Sequence, residues 1–250
     1  MKTEPVPLTE GLAQRVVEMR RDFHRFPELG LTEFRTASAI AARLEALGFD
    51  VRAGREVMDE RSRVGVPNDE IMRAAFVRAK DEGADPRWLT RFENGFTAVV
   101  GTLRGAHSGP VVALRCDIDA LPIVEADDAS HHPAREGFVS AHRGVMHACG
   151  HDVHTAIGLA VAETLAAQRA RIHGTIKCIF QPAEEGGRGA VPMRDAGVVD
   201  DVASHPPIDF ERCLAIEEMS YGWRHVQTPL ALLLVLAGVP LIESVRRLKT

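Results

Sequence analysis

Cysteine is scarce in this chain: Cys116, Cys149, Cys178 and Cys213 are all it has. Four widely scattered thiols are too few for a disulfide scaffold and suit a reducing compartment. An excess of basic charge is also missing. The formal net charge of -5 leaves no basic footprint, so nucleic acid is not an expected partner. The apolar run Pro229 to Ile242 falls short of the roughly 20 residues needed to cross a bilayer. It contains Gly238 and Pro240 and reads as a buried or sticky segment rather than an anchor. Met1-Lys2-Thr3-Glu4-Pro5 lacks the apolar core of a signal peptide. The expectation is a cytoplasmic protein with no membrane partner. No internal repeat or low-complexity segment stands out.

What is present suffices for one large domain or two small ones, since 250 residues with 45% apolar and 26% charged composition is ordinary globular material. Leu12, Val16, Met19 and Phe23 have helical spacing within Leu8 to Phe26, and Pro27 ends the pattern. Thr32 to Leu47 predicts a second helix with Thr32 as N-cap and Gly48 as C′ residue. Residues 55–96 differ in kind: charge-rich, with Pro67 and Pro86 and a helical pattern around Ile71, Ala75, Phe76 and Ala79. They read as an amphipathic insertion on the surface, the alternative being an element that shapes a pocket or meets a partner.

Thr97 to Leu103 and Val111 to Cys116 predict strands, the second apolar enough to be buried on both faces. Asp117 and Asp119 follow its carboxyl end, where open α/β sheets gather catalytic groups; a turn-capping role explains such acids equally well. A helix over Thr155 to Ala170 and a strand over Thr175 to Gln181 complete a strand–helix–strand unit, which implies a crossover onto a parallel neighbour. His131, His132 and His142 fall in a polar stretch and read as solvated loop residues.

The chemistry concentrates in two stretches, Met146-His-Ala-Cys-Gly-His-Asp-Val-His154 and Gln181-Pro-Ala-Glu-Glu185. Thiolate, imidazole and carboxylate bind borderline divalent metals. One of two adjacent glutamates can ligate while the other serves as a base toward water. The crossover brings Cys149 and His151 toward Glu184 and Glu185. No second Cys-x-x-Cys or His-x-x-x-His closes a zinc finger, so a structural zinc module is the weaker metal reading.

These stretches, with Arg115-x-Asp-x-Asp-Ala-Leu-Pro122 and Arg20-Arg-Asp-Phe-His-Arg-Phe-Pro-Glu-Leu-Gly30, resemble the amidohydrolase branch of the M20 metallopeptidases. Gly54-Arg-Glu-Val57 and Glu93-Asn-Gly-Phe-Thr97 narrow the likeness to members that hydrolyse aminobenzoyl-glutamate. The resemblance implies an α/β fold: a three-layer α/β/α zinc-peptidase-like catalytic domain over residues 8–202, incomplete and lacking the lid or dimerisation domain. It implies metal ligands at Cys149, His151 and Glu185, Glu184 as the catalytic base and later acid, and second-shell roles for Asp117 and Asp119. Two divalent ions, Mn2+ or Zn2+, are the implied cofactors. The implied substrate is a small N-acyl amino acid, with p-aminobenzoyl-glutamate the best single choice, and a homologous B subunit or a second copy is the implied protein partner.

The likeness stops after Val202. A further histidine ligand is expected some two dozen residues past Glu185, where Asp209 stands; His205 is the nearest candidate. Residues 203–250 read as a divergent tail. The alternative expectation is therefore a catalytically inactive truncated fragment or a non-catalytic partner subunit.

Overall fold

The structure is a computed structural model, and it describes residues 11–203; His205, Cys213 and the tail expected to be divergent lie outside the described residues. Residues 11–202 form one compact unit. In chain order its helices are α1 (Leu12–Arg25), α2 (Phe34–Ala46), α3 (Asp69–Asp81), α4 (Pro86–Leu89), α5 (His132–Arg135), α6 (His151–Ala167) and α7 (Ala190–Asp195). Its strands are β1 (Asp50–Ala53), β2 (Val99–Arg104), β3 (His107–Asp117) and β4 (His173–Gln181).

The strands form one mixed α/β sheet in the order β1-β2-β4-β3. β4 runs antiparallel to β2 and parallel to β3. The β3-α6-β4 unit is thus the expected crossover, and its two parallel strands end side by side, with Asp117 opposite Gln181. Strand alternation puts Cys116, Cys178 and Phe180 on one face. Helix α6 packs there so tightly that a Cβ on its Gly158 would lie 2.5 Å from Cys116 Sγ. Helix α2 covers the same face, because a Cβ on Gly101 of β2 would meet Leu44 at 3.0 Å. On the opposite face Lys177 reaches Val198, just beyond α7, donating to its carbonyl at 2.9 Å. The core between helices and sheet holds Phe34, Ile40, Leu44, Leu103, Leu159 and Phe180, all essentially inaccessible.

Two local readings need correction. Helix α2 begins one residue after Glu33, which occupies the N-cap, rather than at Thr32. Thr32 instead turns its hydroxyl onto the Leu29 carbonyl at 2.7 Å. Helix α6 starts at His151, four residues earlier than its apolar pattern, because Gly150 adopts a left-handed φ of 90° at the N-cap. Glycine reaches that conformation without the steric cost a Cβ imposes.

Residues 55–96 are not a surface appendage. Val57, Met58, Trp88, Leu89, Phe92 and Phe96 all join the core. Phe96 lies between two guanidinium groups, Arg55 at 4.0 Å and Arg63 at 3.8 Å from its ring centre. On α3, Met72, Ala75 and Ala79 face inward while Ile71 and Val77 are exposed. His142 likewise departs from the solvated-loop reading: it is buried, bonded to the Pro27 carbonyl and to Glu82 Oε1, both at 2.6 Å. No helix among the described residues is long and apolar enough to cross a membrane.

Candidate metal centre

Three chain segments meet beyond the carboxyl ends of β3 and β4. Backbone pairing stitches them together: Ala120 N–H donates to the Glu28 carbonyl at 2.8 Å, and Leu121 and Met146 exchange two hydrogen bonds at 3.0 Å. The left-handed turn at Gly150 then delivers Cys149 and His151 to the same place from the start of α6. Helix and strand geometry therefore fix where each side chain emerges.

His151 is fully buried. Its Nδ1–H donates to the Asp119 carbonyl oxygen at 2.9 Å, which turns Nε2 toward the glutamates. Glu184 Oε2 lies 3.7 Å from Nε2, and Glu185 Oε1 4.0 Å. One ligand atom each from Cys149, His151 and Glu185 falls within 4.8 Å of the others. An overlapping group is formed by Asp117, His151 and His154.

Burial alone would lower the His151 pKa. Hydrogen bonds to Asp119 and Cys149, with the charges of Asp119 and Asp117, raise it to about 11. The field at this spot favours positive charge.

A divalent ion fits these residues on one direct observation. Glu185 Oε1 and Asp117 Oδ1 are buried and have no hydrogen-bond partner among the described residues. Buried polar atoms normally find partners, and orphaned ones call for an explanation such as an ion. The donor set of thiol, imidazole and carboxylate is one that borderline divalent metals accept.

Asp119 organises the opposite wall. Its two carboxylate oxygens accept the backbone N–H groups of Glu184 at 3.0 Å and Glu185 at 3.1 Å, while its carbonyl orients His151. One buried residue thereby sets the positions of the expected base and of two expected ligands. Asp117 is held by Arg115 at 3.0 Å and lies 3.7 Å from His154 Nδ1. Arg115 also reaches Gln181 Oε1 at 3.1 Å, tying the ends of β3 and β4 together.

Sequence reasoning passed over the support behind His151. Asp152 is fully buried; its Oδ2 lies 2.8 Å from His24 Nδ1 and 2.7 Å from Arg20 Nε. His24 Nε2 continues to Glu125 Oε1 at 2.8 Å. The i, i+4 spacing of Arg20 and His24 on α1 was the available signal, but their partner stands more than a hundred residues away. His147 is buried with neither ring nitrogen partnered among the described residues, and burial pushes its pKa down to about 4.

Comparison with known proteins comes to the same family. Residues 113–228 match the model of Peptidase family M20/M25/M40. The chain is 52% identical over 192 residues to the p-aminobenzoyl-glutamate hydrolase (its A chain) of Escherichia coli (strain K12), covering 77% of this chain and 44% of that protein. It is 51% identical to the indole-3-acetyl-aspartic acid hydrolase of Enterobacter agglomerans, covering 78% of this chain and 45% of that protein. Among solved structures, the aminobenzoyl-glutamate utilization protein from Klebsiella pneumoniae superposes with a TM-score of 0.64 at 44% identity, covering 78% of this chain and 43% of that one. The Bacillus subtilis YXEP protein, a dinuclear metal-binding peptidase of family M20, superposes with a TM-score of 0.55 at 33% identity, covering 78% of this chain and 42% of that one. The chain thus spans less than half the length of these relatives.

Proposed function

We propose that this chain, the bearer of a Peptidase M20 domain, serves metal-dependent hydrolysis of the amide bond in N-acyl amino acids. The observation that carries the reading is the convergence of Cys149, His151 and Glu185, with their ligand atoms within 4.8 Å of one another. The best substrate is p-aminobenzoyl-glutamate, cleaved to p-aminobenzoate and glutamate; relatives that are 52% and 51% identical are named for hydrolysis of an N-acyl glutamate and an N-acyl aspartate. Two divalent ions, Mn2+ or Zn2+, are the proposed cofactors. When bound they supply Lewis acidity toward the amide carbonyl and toward water.

The chain's own residues do the rest. Cys149, His151 and Glu185 hold the cation, with Asp117 and His154 next in line. Glu184, 3.7 Å from His151 Nε2, takes a proton from the attacking water and returns it to the departing amine nitrogen. Asp119 keeps both glutamates oriented through their backbone N–H groups. The 52% identical relative is named as one of the subunits of its hydrolase, which supports pairing with a homologous B subunit; a second copy of this chain is the other arrangement. His205 is proposed as a further ligand from outside the described residues.

The test is turnover of p-aminobenzoyl-glutamate by the purified chain with Mn2+ or Zn2+, alone and with a full-length homologue. Metal-dependent release of p-aminobenzoate, abolished in Glu184→Ala, supports the reading. Metal uptake without turnover in either setting would favour the second reading, an inactive fragment or non-catalytic partner, which the short span relative to relatives motivates.

A further inference from the structure

Glu33 is fully buried and stands at the N-cap of α2. A Ser, Thr, Asp or Asn side chain in that position ordinarily accepts hydrogen bonds from the first-turn amides of its own helix. Glu33 accepts none of them. Glu28 does this instead, Oε1 taking the N–H of Arg35 at 3.0 Å and Oε2 that of Thr36 at 2.8 Å. The Glu33 carboxylate is thereby released to reach away from its helix. Its Oε1 accepts the N–H of Ala183 at 2.8 Å, and its Oε2 accepts the Thr97 hydroxyl at 2.6 Å.

Ala183 is no ordinary partner. It immediately precedes Glu184 and holds a left-handed φ of 51°, a region that costs free energy for any residue with a Cβ. Gly30 presses on it from the Glu33 side: a Cβ added there would lie 3.0 Å from both Cα and Cβ of Ala183. Three successive N–H groups, those of Ala183, Glu184 and Glu185, therefore end on two buried carboxylates, Glu33 and Asp119.

We propose that Glu33 is a positioning residue for the glutamate pair: by holding the Ala183 N–H it fixes the strained turn from which Glu184 and Glu185 project toward His151. This rests on the metallohydrolase reading of the same site. The role is that of a hydrogen-bond acceptor: among the described residues Glu33 forms no salt bridge, and its two oxygens are taken by the Ala183 N–H and the Thr97 hydroxyl. Burial, and then the Asp119 carboxylate, hold its pKa well above the usual carboxylate range.

The role predicts a specific pattern among variants of the full chain. Glu33→Gln keeps an acceptor for Ala183 and offers Thr97 a donor, which its hydroxyl oxygen can accept. Glu33→Met fills similar space with no acceptor. Mn2+ affinity by calorimetry and amide hydrogen exchange across 181–188 in metal-free protein are the readouts. Glu33→Gln is expected within about threefold of wild type on both. Glu33→Met is expected to weaken Mn2+ binding roughly 10–100-fold, the usual loss when support behind a ligand is removed, and to speed exchange at Ala183 through Glu185. If Glu33→Met does not fold, Thr97→Val, which frees Oε2, is expected to shift both readouts in the same direction by a few-fold. Wild-type exchange and Mn2+ affinity in Glu33→Met, or in Thr97→Val where that must stand in, would overturn the proposal. A wild-type chain that takes up no Mn2+ would sink the metal reading instead, and the exchange rates would then decide the role of Glu33 alone.

Discussion

His24 of α1 and Asp152 of α6 meet at 2.8 Å with both side chains almost wholly inaccessible. The contact fastens the first turn of α6, and with it His151, to the N-terminal helix. Burial opposes a charged His24, but hydrogen bonds to Asp152 and Glu125 raise its pKa above the ordinary value. Asp152 and Glu125 are lowered against the pull of burial, both by the His24 hydrogen bond, with Arg20 adding to the effect on Asp152.

The signs set a pH window. A raised histidine stabilises the fold fully below its unfolded value near 6.5 and loses that contribution as pH rises through its higher folded value. The lowered carboxylates stabilise above their unfolded values near 4 and fail as pH falls through their folded ones. His24→Gln is therefore expected to cost about 1–3 kcal/mol between roughly pH 4.5 and 6.5. The gap should narrow steadily under alkaline conditions. Urea midpoints of both proteins from pH 5 to 10 check this; a gap that widens with pH would contradict it.

Gly158→Ala reverses the usual helix rule. In an exposed helix the change is worth up to about 1 kcal/mol in favour of alanine. Here the new methyl would lie 2.5 Å from Cys116 Sγ and 3.0 Å from the Phe180 ring. The expected outcome is a loss of about 1–3 kcal/mol from overpacking, partly recovered in the double variant with Cys116→Ala. Thermal unfolding of the single and double variants measures it.

Phe92→Ala tests whether residues 55–96 carry the fold. Phe92 is completely buried within the core, so a loss of about 3–5 kcal/mol is expected. A surface insertion would give almost none. Chemical denaturation distinguishes the two.

Cys149→Ser removes the soft ligand and leaves a hydroxyl in its place. Co2+ substituted into the wild-type chain is expected to show a thiolate charge-transfer band that the variant lacks, along with weaker uptake. Glu184→Gln, by contrast, should bind Co2+ with the wild-type spectrum while turnover falls about 10²–10⁴-fold, the range for losing a general acid–base group. Equal loss of Co2+ in both variants would remove the distinction between ligand and base.

Several elements were legible because local chemistry dictates them. The apolar stripe of α2 and its stop at Gly48, whose φ is 79°, follow from helical period and glycine's freedom. The β3-α6-β4 crossover follows from element order, and it brings Cys149 and His151 beside Glu185. What escaped depends on distant partners. Asp152 reads as an ordinary polar residue by composition, yet it is buried in α6 because His24 and Arg20 receive it. His142 is buried because Glu82 awaits it from 60 residues away. Glu33 hides best of all, since an acid beside a helix start normally serves the positive end of that helix. Only the competing bonds of Glu28 reveal that it does something else.

The sheet order carries a consequence for how the protein is made. β2 and β3 follow one another in the chain but do not pair; β4, the last of the four to leave the ribosome, slots between them. Until that strand arrives the first three cannot close into a sheet, and contacts spanning so many residues form slowly. Glu184 and Glu185 ride on the end of that same strand, so cation capture by the whole triad has to wait until it docks.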